Sequence, residues 1–242
     1  MAPRRGGGVQ KRGTDRLSPV AENYLLALYS LREEGVRTTP AKLAEYIARM
    51  PPTEGLGTSF PSVMGMLRRL AREGLVAVGP DKAVSLTASG EALAEGVVRR
   101  HRVAERLVVD VLGLEFHRAH LEAHRLEHAL SPELERRIWE RLGRPTTCPF
   151  GYPIPRSGYT FPPGERLTMD KAQAGVSYTV DRLPKEDPDL LKYLAERGVI
   201  PGAAIQVTER APYRGILAFR TAAGEGTLSS ATAAALWLRR TP

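Results

Sequence analysis

VVRRHRVAERLVVDVLGLEFHRAHLEAHRLEHAL, residues 97–130, contains all five histidines of the 242-residue chain. On a helix, His101 and Glu105 share one face; His120, His124 and His128 share another, with Glu127 three after His124 on the same side. A glycine-containing turn near Asp110–Phe116 joins the two helices and allows the two sets to meet. Imidazole and carboxylate together suit a first-row divalent metal. The plainer alternative is a solvated helix face carrying scattered histidines, but their confinement to one stretch argues for a metal. The chain has neither a Cys-x-x-Cys pair nor a His-Glu-x-x-His, so the pattern is not that of a zinc finger or a zincin protease.

The composition, 42% hydrophobic and 26% charged, is that of a soluble globular protein long enough for two or three small domains. The longest apolar runs fall short of a membrane span and no apolar signal core opens the sequence, so a cytoplasmic protein without a membrane partner is expected. The single cysteine, Cys148, excludes an internal disulfide framework. A net charge of +8 favours an anionic partner, nucleic acid first.

Working outward, residues 1–17 carry five basic side chains, one acid and four glycines, which predicts a disordered basic arm. Three helices are expected next. Ser18-Pro19 opens the first and Gly35 stops it, Thr39-Pro40 opens the second, and Ser59 caps the third with Pro61 in its first turn. LVAVGPDKAVSLT then reads as a two-stranded wing. Three helices and a wing, the third helix basic, is the order of a winged helix-turn-helix over residues 18–90. Ser59, Pro61 and Ser62 are the expected groove contacts, and Arg68, Arg69 and Arg72 the expected phosphate contacts on double-stranded DNA.

Residues 91–158 read as a helical metal-binding and dimerisation unit. Its apolar Val97, Val98, Leu107, Val108, Val111 and Leu112 exceed what a small winged domain needs to cover. The stretch 144–168 is rich in proline and glycine and predicts an extended linker. Beyond it, GVSYTVDRL, AAIQVTER, GILAFRTA and ALWLRR are short strands around a helix at Pro188–Gly198, which predicts a small SH3-like barrel within 159–242. The fold class expected is therefore mainly α with a small β domain.

AENYLLALYSL at 21–31, GLVAV with L-T-x-x-G at 74–90, RRHRVAERL at 99–107, HLEAHRLEHALS at 120–131 and CPFGYPIP at 148–155 together resemble the diphtheria-toxin-repressor family. DPDLLKYLAERGVIPG at 187–202 is similar to the family's FeoA-like C-terminal module. The resemblance implies a homodimeric repressor that binds operator DNA when loaded with Mn²⁺ or Fe²⁺, with Zn²⁺ or Co²⁺ able to substitute in vitro, and that shuts off metal-uptake genes. It implies one metal site of His101, Glu105 and His120 completed by Asp187 or its neighbour Glu186. A second comprises Asn23, His124, Glu127 and His128. At Asn23 the family usually carries Met or Asp, and at His124 Cys or Glu, so this second ligand set has no sulfur and leans toward Mn²⁺.

Two other classes compete. A metallohydrolase would use the same cluster to activate water, but no general base or oxyanion element is recognisable, so neither an enzyme nor a small-molecule substrate is expected. A structural nucleic-acid-binding protein would carry the metal only as a staple and would show little sequence preference.

Overall fold

Five helices of the chain start in the same way, with a short polar capping residue followed by proline in the first turn. In a computed structural model describing residues 17–50 and 56–240, Ser18 caps α1 (Pro19–Glu33) and Thr39 caps α2 (Pro40–Ile47). Ser59 caps α3 (Phe60–Arg72), its Oγ accepting from the Ser62 amide at 3.3 Å. Each such cap contributes about 1 kcal/mol, and proline costs nothing where the amide has no helical partner. The expected arm, residues 1–17, lies outside the described residues except for Leu17.

β1 (Val76–Val78) and β2 (Val84–Leu86) pair antiparallel as the wing, Val76 opposite Leu86. Thr87 then caps α4 (Ala88–Arg106) while its hydroxyl donates to the Gly74 carbonyl at 2.6 Å. Gly90 is needed for this joint, because a Cβ there would lie 1.9 Å from the Leu75 carbonyl oxygen. The three winged helices, the wing and the first half of α4 enclose one core around Tyr24, Leu25, Leu43, Val63, Leu67 and Val97.

α4 runs on into a π-helical turn over Leu107–Val111, breaks at Gly113 in the left-handed region (φ 66°), and gives way to α5 (Ala119–Glu127). Ser131 then caps α6 (Pro132–Arg141). Of the six apolar residues assigned to a dimer surface, Val97, Val98 and Val108 are buried within the chain itself, whereas Val111 and Leu112 stay 57% and 64% exposed.

The C-terminal part is a six-stranded antiparallel sheet. In chain order the elements are β3 (Arg166–Thr168), β4 (Ser177–Arg182), α7 (Pro188–Glu196), β5 (Ala204–Ala211), β6 (Ile216–Arg220), β7 (Glu225–Ser229), α8 (Ser230–Ala233) and β8 (Trp237–Arg239). The spatial order is β3-β8-β4-β5-β6-β7, with irregularities at Val180/Arg182 and Val207/Glu209 that bend the strands as a small barrel requires. The expected SH3-like barrel is present; β3 and β7, whose sequences lack strand alternation, were not foreseen.

The expected extended linker needs correction. Thr147 and Pro153 bridge, and Cys148, Phe150, Tyr152 and Ile154 are buried, so this segment is a packed turn rather than a spacer. Gly151 (φ 89°) permits it, since a Cβ would meet the Asp181 carbonyl at 2.0 Å. The turn, Val108, Ala119 and the barrel share one core, which fixes the barrel against the histidine helices.

Candidate metal centre

α4 and α5 cross so that their histidine faces oppose each other. His101 Nε2 is 2.8 Å from Glu105 Oε1 and 2.9 Å from His120 Nδ1, and His120 Nδ1 is 2.9 Å from the same Glu105 oxygen. His101 Nδ1 reaches Glu127 Oε2 at 2.6 Å, and His124 Nδ1 lies 3.4 Å from Glu127 Oε1. His128 Nδ1 is 2.7 Å from Glu22 Oε2 and its Nε2 is 3.1 Å from Asn23 Oδ1, which ties α5 to α1. The two sets of ligands implied by resemblance therefore form one network, bridged where Glu127 meets His101. His101, His120 and His124 bring donor nitrogens within 4.8 Å of one another. The fifth histidine, His117, stands outside this group.

This is a poor resting arrangement for an ion-free protein and a good one for a cation. His101, Glu105, His124 and Glu127 are at most 1% exposed, yet Glu105 Oε2 and His124 Nε2 have no hydrogen-bond partner. Buried polar atoms are rarely orphaned, and here each carries a lone pair that a metal would take up. Burial opposes charge on both carboxylates, but His101 and its imidazole neighbours outweigh it and hold Glu105 and Glu127 well below the usual carboxylate range. Burial also opposes charge on His101, but Glu105 and Glu127 outweigh it and raise its pKa. Burial, reinforced by His124, Lys185 and His101, keeps the His120 pKa well below its ordinary value, so its nitrogen lone pair is available. A proton shared by His101 thus balances in part the charge that a metal would balance in full.

The chain matches the iron dependent repressor N-terminal DNA binding domain over residues 16–84, the iron dependent repressor metal binding and dimerisation domain over 87–156, and the FeoA domain over 167–240. The iron-dependent repressor IdeR of Mycobacterium tuberculosis (strain ATCC 25618 / H37Rv) is 39% identical over 214 residues, spanning 84% of this chain and 89% of the relative. The chain belongs to the diphtheria-toxin-repressor family. The diphtheria toxin repressor of Corynebacterium diphtheriae is 40% identical over 139 residues, 57% of this chain and 58% of the relative. A solved manganese-dependent transcriptional repressor in complex with manganese has a TM-score of 0.79 at 33% identity, covering 92% of this chain and all (100%) of that one. The manganese regulator SloR gives 0.73 at 25% identity, covering 93% and 100%.

Within this family fold, the C-terminal carboxylates do not take the place that the resemblance implied. Asp187 is exposed and caps α7, its Oδ1 accepting from the Leu190 amide at 2.9 Å. Glu186 turns to the winged module and accepts from the Tyr46 hydroxyl at 3.1 Å. Both are engaged by local partners, a helix start and the Tyr46 hydroxyl. Lys185 points inward instead, 2% exposed, its Nζ 5.1 Å from the Tyr152 ring and its charge felt by Glu105 and His120. Glu22 and Lys185 were missed by the sequence reading; only Glu22 carried a signal, as the neighbour of Asn23 on α1.

Glu186 lines a cleft of about 660 Å³ between α1–α2 and the barrel, with Glu34, Tyr46, Tyr152, Asp170 and Trp237. Burial first, and Glu186 second, raise the Glu34 pKa to about 7. The folded protein therefore binds a proton that the unfolded chain has already released above its ordinary carboxylate pKa. The stabilisation is complete below about pH 4.5 and is lost as pH rises through 7, an order of about 2–3 kcal/mol. Thermal melts of metal-stripped protein should show Tm falling between pH 5.5 and 8, and Glu34→Gln should flatten that dependence; parallel curves for the two proteins would refute the assignment.

On α3, the helix expected from sequence to meet DNA, Ser59, Pro61, Ser62, Arg68, Arg69 and Arg72 are all exposed, with Val63, Leu67 and Leu70 buried behind them. Arg69 is already paired with Glu73 at 2.8 Å, while Phe60, not foreseen, is 53% exposed at the helix start.

Proposed function

We propose that Mn²⁺ or Fe²⁺, held by His101, Glu105 and His120 together with Asn23, His124, Glu127 and His128, raises the affinity of a homodimer for operator DNA and so represses metal-uptake genes. The observation that carries this reading is the contact of Asn23 and Glu22 on α1 with His128, the residue that caps the end of α5. A metal joining these groups links the winged module to the ligand helices and binds best when that module is held in one orientation. Metal and operator then strengthen each other by the same factor. Exposed Val111 and Leu112, in the region matched to a dimerisation domain, support a homodimer. The relatives named as iron-dependent and diphtheria toxin repressors, and a solved structure named as a manganese-dependent repressor, favour this reading over the hydrolase alternative.

The test is fluorescence anisotropy of a DNA fragment selected by the metal-loaded protein, measured at buffered free Mn²⁺, Fe²⁺, Zn²⁺ and Co²⁺. The proposal expects metal-dependent, sequence-selective binding, and it fails if affinity is the same with chelator as with every ion. In the same assay Arg68→Ala with Arg72→Ala should weaken all sequences alike and lower the log–log salt slope by about 0.9 per lost phosphate contact. An unchanged slope would place these arginines away from DNA.

A further inference from the structure

We propose that Phe60 helps select the operator by packing its ring on thymine methyl groups in the major groove, an inference that rests on the DNA-binding reading above. Ser59 caps α3 and Pro61 follows in its first turn, so the helix start is complete without an aromatic side chain between them. Nor does the core use the ring. Among the described residues, Leu56, Met64 and Met66 pack against the core of the winged module, while Phe60 stays out of it, 53% exposed. One exposed apolar side chain is ordinary on a protein surface. What sets Phe60 apart is its company.

Beyond Phe60 the exposed side of α3 runs through Pro61 and Gly65 to Arg68, Arg69 and Arg72. The arginines suit phosphates, and when a helix of this kind enters a groove its N-terminal end meets the base edges. That end is short of hydrogen-bonding groups. From Phe60 to Leu67 the only polar side chain is Ser62, and its Oγ lies 2.8 Å from Ser59 Oγ, which also accepts from the Ser62 amide at 3.3 Å. Guanine and adenine are read by paired hydrogen bonds from arginine, lysine, asparagine or glutamine, and this end of the helix has none of them. The feature an apolar side chain can read is the thymine methyl, which projects into the major groove. Gly65 serves the same mode. A Cβ there would meet nothing within 4 Å, so packing inside the chain does not demand a glycine. Its effect is outward: with no side chain one turn after Pro61, the helix backbone can approach the groove floor closely and carry Phe60 to the methyl edge. A rival mode reads only the shape and deformability of the duplex, and it has no use for an exposed ring.

Exchanging thymidine for deoxyuridine deletes the methyl and keeps every hydrogen-bonding group of the base pair. A fragment selected by full-length Mn²⁺-loaded protein would be resynthesised with single thymidines exchanged in this way. Its affinity for the natural protein, Phe60→Leu and Phe60→Ala would be measured by fluorescence anisotropy at buffered free Mn²⁺. The expected result is at least one position where the exchange weakens the natural protein about fourfold, the effect of withdrawing one methyl from apolar contact. At that position the exchange should cost Phe60→Ala nothing, whereas Phe60→Leu, still apolar, should keep part of the penalty. Phe60→Ala should also bind the all-thymidine fragment about fivefold or more weakly, the scale of losing one base-pair contact. A folding defect would weaken binding to every fragment in proportion and leave the position-specific penalty in place, so it cannot mimic this outcome. Deoxyuridine penalties that are the same in the natural protein and Phe60→Ala at every position, or absent at every position, overturn the methyl reading while metal-dependent binding stands. Failure to select any fragment whose binding depends on Mn²⁺ overturns the DNA-binding reading and this inference with it.

Discussion

Glu127→Gln is expected to abolish the metal response of DNA binding and to lower the stability of the metal-free protein. Glu127 is fully buried and is the meeting point of the network: His101 at 2.6 Å, His124 at 3.4 Å and His128 at 3.3 Å all approach its two oxygens. Glutamine keeps the shape and removes the charge. In the metal-free protein that leaves the proton on His101 with Glu105 alone to balance it, and breaking a buried pair of this kind costs about 3–5 kcal/mol. With metal, the loss removes a carboxylate donor and the orientation of two imidazoles together, so affinity should drop about a hundredfold or more. Thermal melts with chelator and anisotropy titrations with buffered Mn²⁺ separate the two effects. A variant that melts early but responds to Mn²⁺ like the natural protein would show Glu127 to be structural only.

The part of this centre that could be read from sequence is the part fixed by helix periodicity. His101 with Glu105, and His124 with Glu127 and His128, lie three or four apart, and regular helices fix which side chains share a face whatever surrounds them. The winged helices were legible for a similar reason: their starts are written locally, as Ser-Pro, Thr-Pro and Ser-Phe-Pro. What could not be read was where elements cross. Two metal sets were expected, and the packing of α4 on α5 brings them into contact where His101 meets Glu127. Residues 147–154 form an irregular segment whose proline and glycine content reads as a spacer; only the clamps from Arg102 and Arg106 hold it as a packed turn against α4. At residues 185–187 the acidic pair drew attention, but Asp187 is used by the start of α7 and Glu186 by Tyr46, and the buried side chain of the three is the lysine.

Asn23→Ala should separate metal binding from DNA binding. Asn23 is 0% exposed on α1, its Oδ1 3.1 Å from His128 Nε2, and it belongs to the helix that carries the winged module's core residues Tyr24, Leu25 and Leu28. The other proposed donors, His101 and Glu105 on α4, His120, His124 and Glu127 on α5 and His128 at its C-terminal cap, do not depend on α1, so a metal should retain most of its site without Asn23. What would be lost is the proposed donor carried on α1, the helix packed into the winged module. Coupling between sites of this type is typically about 1–3 kcal/mol, or about 5–150-fold in affinity. In Asn23→Ala the ratio of operator affinity with and without saturating metal should fall toward one while calorimetric metal affinity falls by much less. By reciprocity, operator DNA should also cease to tighten metal binding, a second measurement that a simple loss of stability would not mimic. Asn23→Asp supplies an oxygen at the same place with a full charge, so it should restore the coupling. If Asn23→Ala retains the full metal-dependent gain in operator affinity, the link between the centre and the winged module runs elsewhere, and the Glu22–His128 contact, 2.7 Å long and reinforced by Arg100 at 2.8 Å from Glu22, becomes the route to remove next.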